Sequence, residues 1–143
     1  MRLFFVEDDL GDIILVKEAL EEIMPGQYEL IEASNGEKAI DLLSQIGENE
    51  SSQLPEMIFL DLNIPRKSGT EVLRFIKNDP ILCHLPVIVF SSSESETDIS
   101  RSYLHGANCY VTKPIDYERF VEVIMHIIRY WKFVMEAQAA RAG

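Results

Sequence analysis

Cysteine is nearly absent from this 143-residue sequence: Cys83 and Cys109 are the only two. Two such thiols make neither a disulfide framework nor a metal-ligand spacing. Positive charge is also scarce. Thirteen Lys and Arg face 24 Asp and Glu, for a formal net charge of −11. That balance argues against nucleic acid as a direct partner, because phosphate backbones are held by basic patches. It argues against an anionic membrane surface on the same ground. No apolar run approaches transmembrane length. The opening Leu3-Phe4-Phe5-Val6 meets Glu7-Asp8-Asp9 too early for a signal peptide, so a cytoplasmic location is expected.

What is present is an ordinary globular composition, 47% hydrophobic and 26% charged, at the length of one domain. Short apolar runs alternate with amphipathic stretches. The runs are Leu3 to Val6, Met57 to Leu60 and Val87 to Phe90, with weaker ones at Tyr28 to Ile31 and Cys109 to Val111. Near-continuous apolar strands suit a sheet covered on both faces. The first helical stretch carries Ile13, Ile14, Val16, Leu20 and Ile23 and stops at Pro25-Gly26. The second, with Ala39 to Ile46, is expected to stop at Gly47. The third ends before Pro80, the fourth closes at Gly106, and the fifth runs from about Tyr117 to Met135. The segment from Glu48 to Gln53 reads as a polar surface loop. Five βα units in this order predict an α/β fold, a flavodoxin-like doubly wound (βα)5 with a five-stranded parallel sheet. A single domain is expected over 1–135, with a flexible tail over 136–143 and no output module.

In open parallel sheets the ligand site lies beyond the carboxyl ends of the strands. Those positions hold Glu7, Asp8 and Asp9; Asp61 and Asn63; Ser91, Ser92 and Ser93; and Lys113 before Pro114. Gathered carboxylates repel one another unless a cation joins them, and oxygen-only donors suit a hard ion such as Mg2+ or Mn2+. A carboxylate held there can act as a nucleophile toward phosphorus. A metal and a lysine would neutralise the transferring group while a serine hydroxyl donates a hydrogen bond. Singly, each residue has a plainer role. Acids after a strand often serve a helix N-terminus, as Asp12 is read here, and serines there usually form loops. Four strand ends supplying complementary chemistry together favour the site.

The stretches Val6-Glu7-Asp8-Asp9, Phe59 to Pro65 with Gly69, Pro86 to Ser92 and Gly106 to Pro114 resemble, in order, the response-regulator receiver family. The resemblance covers nearly the whole chain. It implies a response regulator of a two-component phosphorelay, not an enzyme beyond its own phosphorylation and dephosphorylation. Asp61 matches the phosphoacceptor. Glu7 and Asp8 match the acidic pair that binds the metal, and Asn63 the position offering it a backbone carbonyl. Ser91 matches the switch hydroxyl, Lys113 the phosphate-pairing lysine and Tyr110 the aromatic rotamer switch. Pro114 matches a proline usually preceded by a cis peptide bond, and Gly69 a turn glycine. Glu7 stands where many members have aspartate, and Ser91 where many have threonine. Glu7 to Asp12, Leu62 to Gly69 and Tyr117 to Met135 are most similar to small receivers partnered with bacterial and cyanobacterial phytochromes. The implied partner is a sensor histidine kinase, such as a bacteriophytochrome.

Three rivals share features. A haloacid-dehalogenase-type acyl-phosphate hydrolase needs a second aspartate two residues after the nucleophile, where this chain has Asn63. A flavodoxin-like cofactor carrier needs a phosphate-binding loop after the first strand, where this chain has three acids. A degenerate receiver acting only as a scaffold would have lost Asp61 or Lys113. The fifth helix carries a second apolar set beside the face with Phe120, Ile124, Ile127, Ile128 and Trp131 that would cover the sheet. Tyr117, Val123, Tyr130, Phe133 and Val134 lie off that stripe, so a partner is expected to cover them. The expectation is a homodimer through the fourth helix, fifth strand and fifth helix, with Tyr110, Val123, Tyr130, Phe133 and Val134 at its interface.

Overall fold

The computed structural model describes residues 1–48 and 54–142. The expected surface loop from Glu48 to Gln53 therefore falls, beyond Glu48, outside the described residues. Five strands form one parallel sheet: β1 (Arg2–Val6), β2 (Glu29–Ala33), β3 (Met57–Leu60), β4 (Val87–Ser91) and β5 (Cys109–Thr112). Their order is β2-β1-β3-β4-β5. Register places Val6 beside Ala33 and Leu60, Leu60 beside Val89, and Ser91 beside Thr112. The strand ends are thereby aligned along one edge. Five helices alternate with the strands: α1 (Leu10–Ile23), α2 (Gly36–Glu48), α3 (Gly69–Asn78), α4 (Glu96–Leu104) and α5 (Tyr117–Ala142).

Two compact units make up the chain, one of residues 1–10 and 27–113, the other of 11–26 and 114–143. The first holds the sheet. One set of alternating strand residues, Phe4, Val6, Ile58, Leu60, Val87 and Val89, is fully buried in a core with Leu43 of α2 and Val72, Leu73 and Ile76 of α3. The opposite set is buried too. There Phe5 stacks on Phe59 with centroids 4.3 Å apart, and Phe59 meets Phe90 edge to face. Burial on both faces explains why β1, β3 and β4 read as unbroken apolar runs. The outer strands β2 and β5 are only partly buried, which matches their weaker sequence signal.

In the second unit, α1 buries Ile13, Val16, Ala19 and Leu20, and α5 buries Phe120, Val121, Ile124 and Ile128. Ile127 and Trp131, expected on the same α5 stripe, are half-buried. Tyr117 Oη donates to the Glu18 carboxylate. Two helix boundaries and one peptide bond differ from expectation. Gly47 lies inside α2 rather than ending it, because one helical glycine costs only about 1 kcal/mol. The helix α5 continues seven residues past Met135, to Ala142. Its last stretch, Glu136-Ala137-Gln138-Ala139-Ala140-Arg141, consists of strong helix formers, so propagation outlasts the apolar pattern. The Lys113–Pro114 bond is trans, since the described residues contain no cis peptide bond. This corrects the cis-proline expected at Pro114; an X–Pro amide prefers trans by about 0.5–1 kcal/mol unless its surroundings reverse that. Among the described residues no helix is long and apolar enough to cross a membrane.

Candidate functional site

The site begins with backbone carried past the strand ends. Asp61 N–H donates to the Val6 carbonyl (3.0 Å) and Glu7 N–H to that of Ala33 (3.0 Å), so both acids leave the sheet on ladder bonds. Glu7 and Asp61 are buried, at 8% and 7% exposure, while Asp8 is exposed. One oxygen from each of Glu7, Asp8 and Asp61 falls within a 4.8 Å cluster. Two oxygens on one Mg2+ at about 2.1 Å are at most ~4.2 Å apart. Shifts of a few tenths of an ångström would bring all three onto a hard cation, so the donor set fits one.

Lys113 closes the site from the far side of β4. Its Nζ donates to Asp61 Oδ2 at 2.9 Å and to Glu7 Oε1, with its side chain 9% exposed. The ammonium also lies 6.0 Å from the Phe90 ring centroid. Asn63 N–H donates to Asp61 Oδ1 (3.1 Å), and the Asp8 N–H to Glu7 Oε2 (3.1 Å). Two buried carboxylates thus share one ammonium. Burial pushes Glu7 up to about 8; its hydrogen bond with Asp61 adds to this, and Lys113 opposes it. Burial acts on Asp61 in the same direction but is outweighed by hydrogen bonds from Glu7, Lys113 and the Asn63 N–H, and Asp61 ends below the usual carboxylate range. Of the two neighbouring acids, Glu7 is thus the one pushed toward its neutral form, mainly by burial, and Asp61 the one held toward its ionised form by its hydrogen bonds.

Gly69 supports Asp61 from beneath. A Cβ there would sit 2.3 Å from the Asp61 carbonyl oxygen and 2.5 Å from Leu62 Cα. Close approach, not a positive φ, is why this turn requires glycine. The positive φ values belong to Arg66 (51°) and Lys67 (71°) in the same loop. Their turn is held because Pro65 and Arg66 carbonyls accept from Gly36 and Glu37 N–H at the start of α2. A Cβ on Gly36 would lie 1.9 Å from the Lys67 carbonyl oxygen.

Ser91 ends β4 fully buried, and its carbonyl accepts from Lys113 N–H (2.7 Å). Its hydroxyl accepts from Ser93 N–H (3.3 Å) and makes no hydrogen bond to Asp61 among the described residues. Tyr110, half-buried, donates its hydroxyl to the Ser93 carbonyl (2.7 Å), while its N–H donates to Tyr103 Oη (3.0 Å). The structure therefore brings Glu7, Asp8, Asp61, Asn63 and Lys113 into one cluster and places Ser91 and Tyr110 in an adjoining hydrogen-bonded network. That network includes Ser93, one of the three serines expected at the end of the fourth strand, together with Asp98 and Tyr103, to which the sequence reading assigned no site role. The pattern Ser95-x-x-Asp98 at a helix start was the available signal.

A buried carboxylate beside a cation site and a lysine, at the carboxyl edge of this sheet, defines a receiver. The sequence profile of the response regulator receiver domain matches residues 3–125, and the chain belongs to that family. The chain is similar to the response regulator Rcp1 of Synechocystis sp., with 38% identity over 138 residues, 96% of this chain and 93% of that protein. Among solved structures it is similar to the phosphorylated cyanobacterial phytochrome response regulator RcpA, with TM-score 0.83 and 39% identity over 91% of this chain and 92% of that one. The Mn2+-bound form of Rcp1 is comparable, at TM-score 0.82 and 38% identity over 91% and 93%.

Proposed function

We propose that Asp61 is the phosphoacceptor of this response regulator and takes its phosphoryl group from the phosphohistidine of a sensor kinase. The observation that carries this reading is Lys113, held by both Glu7 and Asp61 while Asp8 completes a three-carboxylate cluster. The ionised Asp61 oxygen forms the new P–O bond as the donor P–N bond breaks, and the electron pair leaves with the histidine. Lys113 neutralises the oxygens of the group in flight, and Ser91, whose carbonyl accepts from the Lys113 N–H, supplies a hydroxyl as its partner. Mg2+, held by Asp8, Asp61 and the Asn63 carbonyl with Glu7 behind them, would screen the charge that builds between donor and acceptor. Turnover of the acyl phosphate is then the domain's own chemistry, and Tyr110 relays the change to the surface of α4 and β5.

The kinase is a phytochrome-type kinase of the cytoplasm. Similarity to the cyanobacterial phytochrome response regulator RcpA and to two bacteriophytochrome response regulators, at 33% and 34% identity, supports this reading. The receiver occupies 1–135 and acts as a homodimer through α4, β5 and α5, in which Tyr110, Val123, Tyr130, Phe133 and Val134 take part. The exposure of Tyr130 (60%) and Phe133 (71%) supports that surface.

Labelling with acetyl phosphate tests the acceptor. Wild-type protein should incorporate one acid-labile, hydroxylamine-sensitive phosphoryl group with Mg2+ and none with EDTA, and Asp61→Asn should incorporate none. Full labelling of Asp61→Asn would refute the assignment.

A further inference from the structure

Every main-chain and side-chain polar atom of Ser93 is engaged. Its N–H donates to Ser91 Oγ (3.3 Å), and its carbonyl accepts from Tyr110 Oη (2.7 Å). Its hydroxyl donates to Asp98 Oδ2 (2.6 Å) and accepts from Ser95 N–H (3.3 Å). Ser95 caps α4, and Asp98 is the third residue of that helix. In a capping box the acid at this position reaches back to the N–H of the cap residue. Here the Ser93 hydroxyl stands between them, receiving from Ser95 and giving to Asp98. The first turn of α4 is thereby tied to the residue whose amide meets Ser91 and whose carbonyl meets Tyr110.

Asp98 is well placed to anchor such a link. Its own N–H donates to Ser95 Oγ (3.3 Å), and its carbonyl accepts from the buried Ser102 hydroxyl (2.8 Å). Its bond from Ser93 is short, at 2.6 Å, and is made to a carboxylate oxygen, the stronger kind of hydrogen bond. Ser93 itself lies between β4 and α4, so no ladder or helix bond fixes its carbonyl. The position of that carbonyl depends on Tyr110 on one side and on Asp98 on the other.

We propose that Asp98, acting through Ser93, is a positioning residue for Ser91 and Tyr110. It holds the loop after β4 in the arrangement that gives Tyr110 an acceptor, and so sets how readily the domain takes up a phosphoryl group. This rests on the reading of Asp61 as acceptor and of Ser91 and Tyr110 as the groups that respond. Without the Asp98 carboxylate the Ser93 peptide can turn, Tyr110 loses its acceptor, and a half-buried ring is free to leave. The binding-competent arrangement is then a smaller fraction of the population, and apparent affinity falls by that fraction.

The test uses the full chain with Asp98→Ala, Asp98→Asn, Ser93→Ala and Ser95→Ala. Two quantities are read: the NMR signals of the Tyr110 ring without phosphodonor, and the affinity for beryllofluoride with Mg2+. Asp98→Ala and Ser93→Ala should each shift the Tyr110 ring signals toward solvent-averaged values and weaken beryllofluoride about tenfold, the loss expected for one charge-assisted bond. Asp98→Asn, which keeps an acceptor without its charge, should fall between. Ser95→Ala removes the cap of the same helix and leaves the Ser93–Asp98 bond, so it should change neither quantity comparably. If Asp98→Ala leaves Tyr110 unmoved, or Ser95→Ala reproduces both changes, Asp98 is only a helix-supporting residue and the proposal fails. Beryllofluoride binding to none of the proteins would instead refute the Asp61 reading, and the Tyr110 signals would still decide the role of Asp98.

Discussion

The raised pKa of Glu7 predicts that the metal-free protein loses stability as pH rises. Glu7 titrates near 4.5 when unperturbed and is pushed up to about 8 here, mainly by burial and then by Asp61. The folded state therefore binds more protons than the unfolded chain between those two values. Stability contributed by the protonated carboxyl is fully present below about 4.5 and is lost as pH rises through about 8. The slope inside that window is at most about 1.4 kcal/mol per pH unit, so moving from pH 5.5 to 7.5 costs the metal-free domain up to roughly 3 kcal/mol. Asp61 does not offset this, because its shift is downward and its contribution is already complete above its unperturbed value of 3.8. Urea unfolding in EDTA at several pH values measures the slope. Glu7→Gln keeps a neutral donor beside Asp61 and should flatten it, leaving the mutant more stable than wild type at pH 7.5. Mg2+ has the opposite dependence: it displaces the proton, so its affinity should rise with pH, by up to about tenfold per unit in the window. A metal-free wild type whose stability is flat or rising from pH 5.5 to 7.5, or a Glu7→Gln protein with the same slope, would show that Glu7 is ionised and the proton assignment is wrong.

Asp8→Ala should weaken Mg2+ binding far more than Asp9→Ala, since Asp8 alone of the two joins the three-carboxylate cluster; titration calorimetry separates them, and equal losses would move the register by one. Gly69→Ala should destabilise the domain by about 2 kcal/mol or more and depress labelling by acetyl phosphate, because its methyl would meet Asp61 and Leu62 backbone that has no room to yield. Lys77→Met should cost on the order of 2 kcal/mol in urea unfolding without changing Mg2+ affinity, since Lys77 Nζ donates to the carbonyls of Cys83 (3.3 Å) and Leu85 (3.0 Å) and to Asn108 Oδ1 (3.0 Å). Tyr130→Glu with Phe133→Glu should convert a dimer to a folded monomer by light scattering, and a wild type that is monomeric with and without beryllofluoride would refute the dimer.

The fold was legible wherever burial on two faces left an unambiguous pattern. Met57 to Leu60 was read to the residue because all four positions are buried, whereas β2 was read short because Glu29 and Glu32 are exposed on an outer strand. Helix ends were less legible, since their signals are local and weak. Gly47 looks like a stop and is not one, and the alanines after Met135 look like a tail and are helical. The loop after Asp61 hid its special backbone in Arg66 and Lys67, residues that carry no signal for positive φ. Asp98 escaped notice for a related reason, and Ser93 was seen only as one of three serines after the fourth strand: each is an ordinary loop or cap residue alone, and only their shared bond ties them together.

The acidic cluster and its lysine were legible despite lying far apart in the chain, and the sheet order explains why. Glu7 and Lys113 are 106 residues apart, yet parallel topology puts the residue after every strand on one edge. The order β2-β1-β3-β4-β5 makes Glu7 and Asp61 neighbours, with β4 between them and β5. Adjacent strands lie about 4.8 Å apart, so a group on β5 must span roughly 10 Å to reach β3. A lysine has the long flexible stem for that crossing, and its apolar part can travel over Phe90 while the ammonium reaches the acids. The residue that ends β4 must then be small enough to leave the path open, and polar enough to serve the phosphoryl group that Asp61 is proposed to accept. Ser91, fully buried with its carbonyl bonded to the Lys113 N–H, meets both demands. Acid, serine and lysine are therefore one geometric solution, and finding them together at successive strand ends is informative where any one of them would not be.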